Sequence, residues 1–247
     1  MTLAARLAAA ATVVALGTPA SLAAAQETAQ REGARPIGEW SDEPIFMPSP
    51  ENFTLELRVG AYRPDLGAAF SSTFGGDLGP LLAVELDYHL YRIPYIGPLQ
   101  IGARIGWAEW NGAATTTGST ENVGGTGMSM VPMTVLASLR IDGLARNVSL
   151  PLILTPKLGL DFAYFQTGTS GFTQADGWSV GLSWGAQVAL ELDFLEMRAA
   201  RRLDEEWGIN HSELFFELFG STMGSFSDRQ LPLGTSLAWA AGLGFTF

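Results

Sequence analysis

The chain has 247 residues, 47% hydrophobic and only 16% charged, against about 25% charged in an ordinary soluble domain. With no Cys, it has no disulfide framework, thiolate metal site or cysteine nucleophile. With 14 basic residues against 25 acidic ones and a net charge of −11, it lacks the basic face that phosphate binding needs, so no nucleic-acid partner is expected.

The chain opens with Arg6, an apolar run from Leu7 to Leu16, and small residues ending in Ala23-Ala24-Ala25 before Gln26. That order of charge, apolar run and A-x-A site reads as a signal peptide over 1–25. A membrane-anchoring helix is the alternative. Gly17 and Pro19 break the run, and a span needs about 20 apolar residues. No Cys follows it, which excludes lipidation at a Cys. Residues 26–52 read as a polar periplasmic leader. It mixes Glu27, Arg31, Glu32, Arg35, Glu39, Asp42, Glu43 and Glu51 with four prolines and shows no period. A flexible tail is expected. The alternative is a plug or partner-binding segment using Trp40 and Ile45-Phe46-Met47.

From Phe53 onward the chain alternates with period two. Phe53, Leu55, Leu57, Val59 and Ala61 interleave with Thr54, Glu56, Arg58 and Gly60. The same alternation recurs over 82–90, 101–108, 131–140, 157–164, 178–193, 213–218 and 236–247. Successive side chains of a strand point to opposite faces, so each segment is a strand. Eight strands of roughly nine to sixteen residues exceed the usual average of about five to six.

Alternation does not say which face is inside. A soluble lipocalin-like barrel buries its apolar face and wets its polar one. Here the polar face is mostly Gly, Ala, Ser and Thr, which suits the narrow interior of a small barrel. The strand lengths suit a tilted membrane crossing of about 9–11 residues. Phe53, Tyr88, Trp107, Tyr164, Trp178, Phe194, Phe245 and Phe247 fall near strand ends on the apolar face, as in aromatic girdles. No run of about 18 apolar residues offers a helical span. The fold class expected is all-β, an eight-stranded antiparallel up-and-down transmembrane β-barrel over 53–247.

The last strand, Ser236-Leu-Ala-Trp-Ala-Ala-Gly-Leu-Gly-Phe-Thr-Phe247, ends on an aromatic residue at an alternating position. It resembles the C-terminal signal of bacterial outer-membrane proteins. That resemblance implies an assembly signal at Phe247, read by the barrel-assembly machinery. The mature chain looks like a barrel of the OmpA-transmembrane or OmpW size class. Three stretches resemble an uncharacterised outer-membrane β-barrel family of myxobacteria. They are Phe53-Thr-Leu-Glu-Leu-Arg-Val-Gly-Ala-Tyr-Arg-Pro64, Leu86-Asp-Tyr-His-Leu-Tyr-Arg-Ile-Pro-Tyr95 and Leu203-Asp-Glu-Glu-Trp-Gly-Ile-Asn-His211. The resemblance covers 53–247 and implies a barrel in the outer membrane of a Gram-negative bacterium, with no activity attached.

With a periplasmic N-terminus, the outer loops are 63–80, 111–127, 166–177 and 220–234, rich in Gly, Ser and Thr. They are expected to be solvated and mobile. Contact with polysaccharide, phage or another cell is the alternative. The periplasmic turns 91–98, 141–152 and 194–210 are longer than such barrels usually carry. In the third, Leu195, Ala199, Leu203 and Trp207 repeat every four residues, with Arg198, Arg201 and Arg202 on other faces. That spacing predicts a short helix with one apolar side. It would lie on the inner leaflet of outer-membrane lipid, or dock a periplasmic partner.

The inward face carries Arg58, Arg104, Arg140 and Lys157 against Glu56, Glu85, Asp87, Asp161, Glu191, Asp193, Glu213 and Glu217. Unpaired charge in a narrow lumen is costly, so each basic residue should find a carboxylate. A packed charge network filling the lumen is expected. A narrow cation-preferring path is the alternative, because the excess is acidic. The i, i+2 pairs Glu85/Asp87 and Glu191/Asp193 suit acid–base or Ca²⁺ chemistry, but spacing alone assigns neither, and no metal or cofactor is expected. No catalysis is expected either, a lipid-modifying barrel enzyme being the less favoured alternative. The two histidines are His89, placed in the lumen network, and His211, whose neighbour Ser212 falls on the opposite face. The expected role is structural or surface-interaction, with a periplasmic or cell-surface protein as the partner.

Overall fold

The computed structural model describes residues 49–247 apart from 76–77, 116–121, 149, 170–171, 196 and 228–229. The signal peptide and nearly all of the leader lie outside the described residues. The strands are β1 (Phe53–Tyr62), β2 (Gly79–Ile93), β3 (Gly97–Thr115), β4 (Asn122–Leu139), β5 (Leu152–Thr169), β6 (Phe172–Glu191), β7 (His211–Ser221) and β8 (Thr235–Thr246). Three helices join them: α1 (Gly67–Phe74), α2 (Gly143–Val148) and α3 (Met197–Trp207).

The strands form an eight-stranded antiparallel up-and-down barrel, closed where β1 pairs with β8. Consecutive strands pair in order, with Phe53 opposite Tyr88 on one side of β1 and Leu55 opposite Phe245 on the other. Beyond β8, the backbone of Phe247 completes the seam. Its N–H donates to Phe53 O at 2.8 Å, and its carbonyl accepts from Phe53 N at 2.9 Å. A closed sheet leaves no edge strand with unpaired backbone groups.

Period two becomes inside and outside. Thr54, Glu56 and Arg58 are buried while Leu57 and Val59 are exposed; Glu85 and Asp87 are buried while Val84 and Leu86 are exposed. Small inward residues make room for long ones on neighbouring strands. Gly102 faces Asp87 across the β2–β3 ladder, and a Cβ there would collide with the Asp87 carboxylate. Gly244 faces Glu213, and a Cβ there would meet Glu213 Oε1 at 2.6 Å. Among the described residues, no helix is long and apolar enough to cross a membrane.

The connections differ from expectation. At the loop end, opposite Phe53 and Phe247, the described residues of 111–127 and 166–177 are strand. β3 and β4 continue to Thr115 and from Asn122, and β5 and β6 to Thr169 and from Phe172. Cross-strand backbone pairing, as between Asn111 and Gly127, outweighs the turn-prone composition. The segment 63–80 holds α1, which Gly75 ends at φ 71° in the left-handed region. At the terminal end, the turn expected over 91–98 shrinks to three residues, because β2 runs to Ile93 and β3 starts at Gly97. Tyr95 turns this corner at φ 66°. The connection 141–152 holds α2, and 194–210 holds α3, the helix its apolar repeat predicts. Leu195 and Trp207 of that repeat are exposed.

Candidate functional site

The lumen is built in layers along β1. At mid-height Arg58, Arg104 and Lys157 meet Glu56, Glu85 and Glu217, three charges of each sign. Glu85 is fully buried and accepts from all three bases: Arg58 Nη1 at 2.8 Å, Arg104 Nε at 2.5 Å and Lys157 Nζ at 2.5 Å. Glu217 pairs with Arg58 Nη2 at 2.5 Å, Arg104 Nη2 at 3.1 Å and Lys157 Nζ at 3.3 Å. Glu56 takes Lys157 at 3.0 Å, a close contact from Arg58, and the Gln187 amide at 2.9 Å. Removing such charges from water costs several kcal/mol each, which mutual attraction offsets only when every partner is present. Arg58, Arg104 and Lys157 meet that condition by each pairing with at least two of these carboxylates.

Toward the terminal end, Arg140 grips Glu213 through two parallel bonds of 3.0 and 2.7 Å. On the loop side of Lys157 along β5, Thr134 donates to Asp161 at 2.6 Å. Asp87 is buried against the mid-height layer, a carboxylate oxygen lying within 4.8 Å of ones on Glu56 and Glu85, and among the described residues its Oδ1 has no hydrogen-bond partner. Among the described residues, His89 pairs with no carboxylate. Its Nε2 meets Thr54 Oγ1 at 2.9 Å in a neutral chain through Gln100 and Ser138.

The expectation of a lumen filled by charge needs correction. The loop half is filled by Tyr62, Phe70, Trp110, Met128, Met130, Phe165, Phe219, Met223 and Leu233, packed as one apolar cluster. Phe70 of α1 drops edge-on against Trp110 at 5.8 Å, so the helix caps the cluster. Tyr62 buries its ring and donates its hydroxyl to Leu233 O at 2.6 Å. Arg104 sits 5.9 Å over the Phe219 ring, where the two layers meet. The signal was present in the sequence. Tyr62, Trp110, Phe165 and Phe219 continue the inward parity of Gly60, Ala108, Ala163 and Glu217 by two residues.

Glu191 and Asp193 are also placed differently. They lie at the terminal mouth, half-buried, outside the mid-lumen network. His211 Nδ1 meets Asp193 Oδ2 at 2.6 Å and Glu191 Oε1 at 3.0 Å. Its Nε2 meets Glu51 Oε1 at 3.3 Å. Ser212 enters through its backbone N–H, donating to Asp193 Oδ1 at 3.2 Å. Glu51 is in turn held by Arg146 at 2.5 Å and Arg92 at 3.0 Å, and both arginines bond Asp142 at 2.9 Å. Burial alone would raise the Glu51 carboxyl; the hydrogen bonds from His211 and Arg146 outweigh it and hold the group well below the usual carboxylate range. This ring of Glu51, Arg92, Asp142 and Arg146 was not legible from spacing, because three separate segments supply it: the residues before β1, the end of β2 and the connection holding α2. Two bonds outside the ring anchor Ser49: its Oγ donates to Asp204 of α3 at 2.5 Å, and Asn210 donates to Ser49 O at 2.6 Å.

No protein-family model matches this chain, and no curated protein matches it in sequence. Solved structures resemble it in fold. Neisserial surface protein A is 11% identical, with a TM-score of 0.46, over 79% of this chain and 96% of that one. The attachment invasion locus protein Ail of Yersinia pestis is 10% identical, with a TM-score of 0.42, over 81% and 100%. A major outer membrane protein of Thermus thermophilus is 14% identical, with a TM-score of 0.38, over 79% and 99%.

Proposed function

We propose that this chain is a small outer-membrane β-barrel of a Gram-negative bacterium, with a closed lumen and a structural or surface-interaction role. The observation that carries this reading is the outer face. Leu57, Val84, Ile101, Val135, Leu160, Leu182, Leu214 and Leu243, one from each strand, are all substantially exposed. An apolar belt of this kind around a whole barrel is stable against lipid tails and unstable against water. A closed sheet satisfies its backbone internally, which lipid requires. Phe53, Tyr88 and Trp178 stand at belt ends, where amphipathic rings favour the headgroup level. The ion-paired layer and the apolar cluster support the closed lumen. Phe247, at the seam, is the proposed mark for the barrel-assembly machinery, and the loop end is the proposed contact surface. The finer placement in a myxobacterial barrel family rests on the three quoted stretches.

The test is a planar-bilayer recording on chain refolded in detergent, alongside gel mobility before and after boiling. Heat-modifiable migration and no stable conductance are expected. A chain that stays soluble and monomeric without detergent overturns the membrane reading. A large, reproducible cation-selective conductance overturns the closed lumen and favours a narrow channel.

A further inference from the structure

We propose that Glu191, Asp193 and His211 form a binding site for one divalent transition-metal ion, Zn²⁺ foremost, at the terminal mouth of the barrel. The three side chains each offer one ligand atom, and these atoms lie within 4.8 Å of one another. One imidazole nitrogen with two carboxylate oxygens is a common donor set for zinc, leaving a fourth position to water. Ca²⁺ and Mg²⁺ are poor occupants, since both favour all-oxygen shells and Ca²⁺ takes about six to eight ligands.

The surroundings are arranged as metal sites require. A ligating imidazole usually donates its other N–H to a carboxylate, which fixes the tautomer and the ring. Glu51 stands at His211 Nε2, 3.3 Å away, and is itself clamped by Arg92 and Arg146. That leaves Nδ1 facing Asp193 and Glu191. Asp193 is oriented by the Ser212 N–H on its other oxygen. Among the described residues, His211 is the one cation-capable side chain within ion-pair distance of Glu191 and Asp193. Two carboxylates therefore face the single Nδ1 position. A divalent ion neutralises both. On binding, the Nδ1 proton leaves to solvent and its lone pair goes to the metal. Tetrahedral bonds of about 2.0–2.1 Å set neighbouring ligand atoms roughly 3.4 Å apart. The contacts of 2.6 and 3.0 Å need to open by less than about 1 Å.

The position gives the ion a consequence. Glu191 ends β6 and His211 begins β7, so the metal staples both ends of the connection that carries α3. Zinc binding therefore raises the melting temperature. The site acts on the barrel's own chain, independently of what the loop end contacts.

The experiment is calorimetric titration of Zn²⁺ alone into full chain refolded in detergent micelles. One ion per chain is expected, with affinity unaffected by excess Ca²⁺. His211→Ala and Asp193→Asn lower affinity about 100-fold or more, and Glu51→Gln about 10-fold. His89→Ala binds as the parent does. Heat-modifiable mobility reports that each variant is folded. A readout on the unaltered site is the ¹⁵N-imidazole spectrum of the parent chain. Zinc must shift Nδ1 of one histidine, the one retained in His89→Ala. Failure of the parent chain to bind zinc saturably, undiminished binding by folded His211→Ala, displacement by Ca²⁺, or a shift confined to His89 overturns the proposal.

Discussion

In mid-lumen, Arg58, Arg104 and Lys157 stand among Glu56, Glu85 and Glu217. Toward the loop end, Tyr62, Trp110, Met128, Met130 and Phe165 fill the same cylinder with apolar side chains. Both layers exclude water, by different means with different tolerances. An apolar cluster is held by shape and area, so a missing methylene weakens it in proportion. A buried charge layer is held by balance. Loss of one member strands its partners in a medium that cannot solvate them. Two layers also separate two jobs. Opposite charges on five strands specify the pairing register around the ring, while the apolar cluster with α1 closes the end.

The sharpest way to break this comparison is to remove one charge from the centre. Glu85→Gln leaves Arg58, Arg104 and Lys157 with two carboxylates. It should destabilise the barrel by about 3–5 kcal/mol in urea unfolding from lipid vesicles. Adding Lys157→Met restores the balance and should recover a large part of that loss, so the double variant costs less than the sum of the singles. A cost for Glu85→Gln near zero would mean that water solvates this layer.

In the apolar layer the response should follow volume. Met130 is fully buried, and Met130→Ala should cost about 2–5 kcal/mol, whereas Met130→Leu should cost less than about 1.5 kcal/mol. The same unfolding assay distinguishes them. Equal costs for the two would show that packing in this half is loose. The smallest effect is expected where the layers use a neutral hydrogen bond. Tyr62→Phe keeps the ring and loses the bond to Leu233 O, for about 1 kcal/mol. A loss as large as that of Glu85→Gln would make Tyr62 a structural pivot for α1 and remove the contrast between layers.

The sequence by itself determined the number of strands, their order and which side chains face inward. The reason is local: a pleated strand turns each successive residue to the opposite face, so the pattern Thr54, Glu56, Arg58 against Leu55, Leu57, Val59 carries its own geometry. The helix over 197–207 was legible for a similar reason, since its period of four needs no partner. Tertiary structure alone decided heights and neighbours. Glu191 and Asp193 share the inward parity of Glu85, yet register puts them at the mouth beside His211 and Glu51, residues from distant segments. The described parts of 111–127 and 166–177 are strand because backbone pairing across a closed sheet outweighs local turn preference. The apolar half of the lumen followed parity but not polarity. Which inward residues are charged and which aromatic shows in the sequence; which of them share a layer depends on the stagger of eight strands around a ring, a property of the closed barrel and of no single segment.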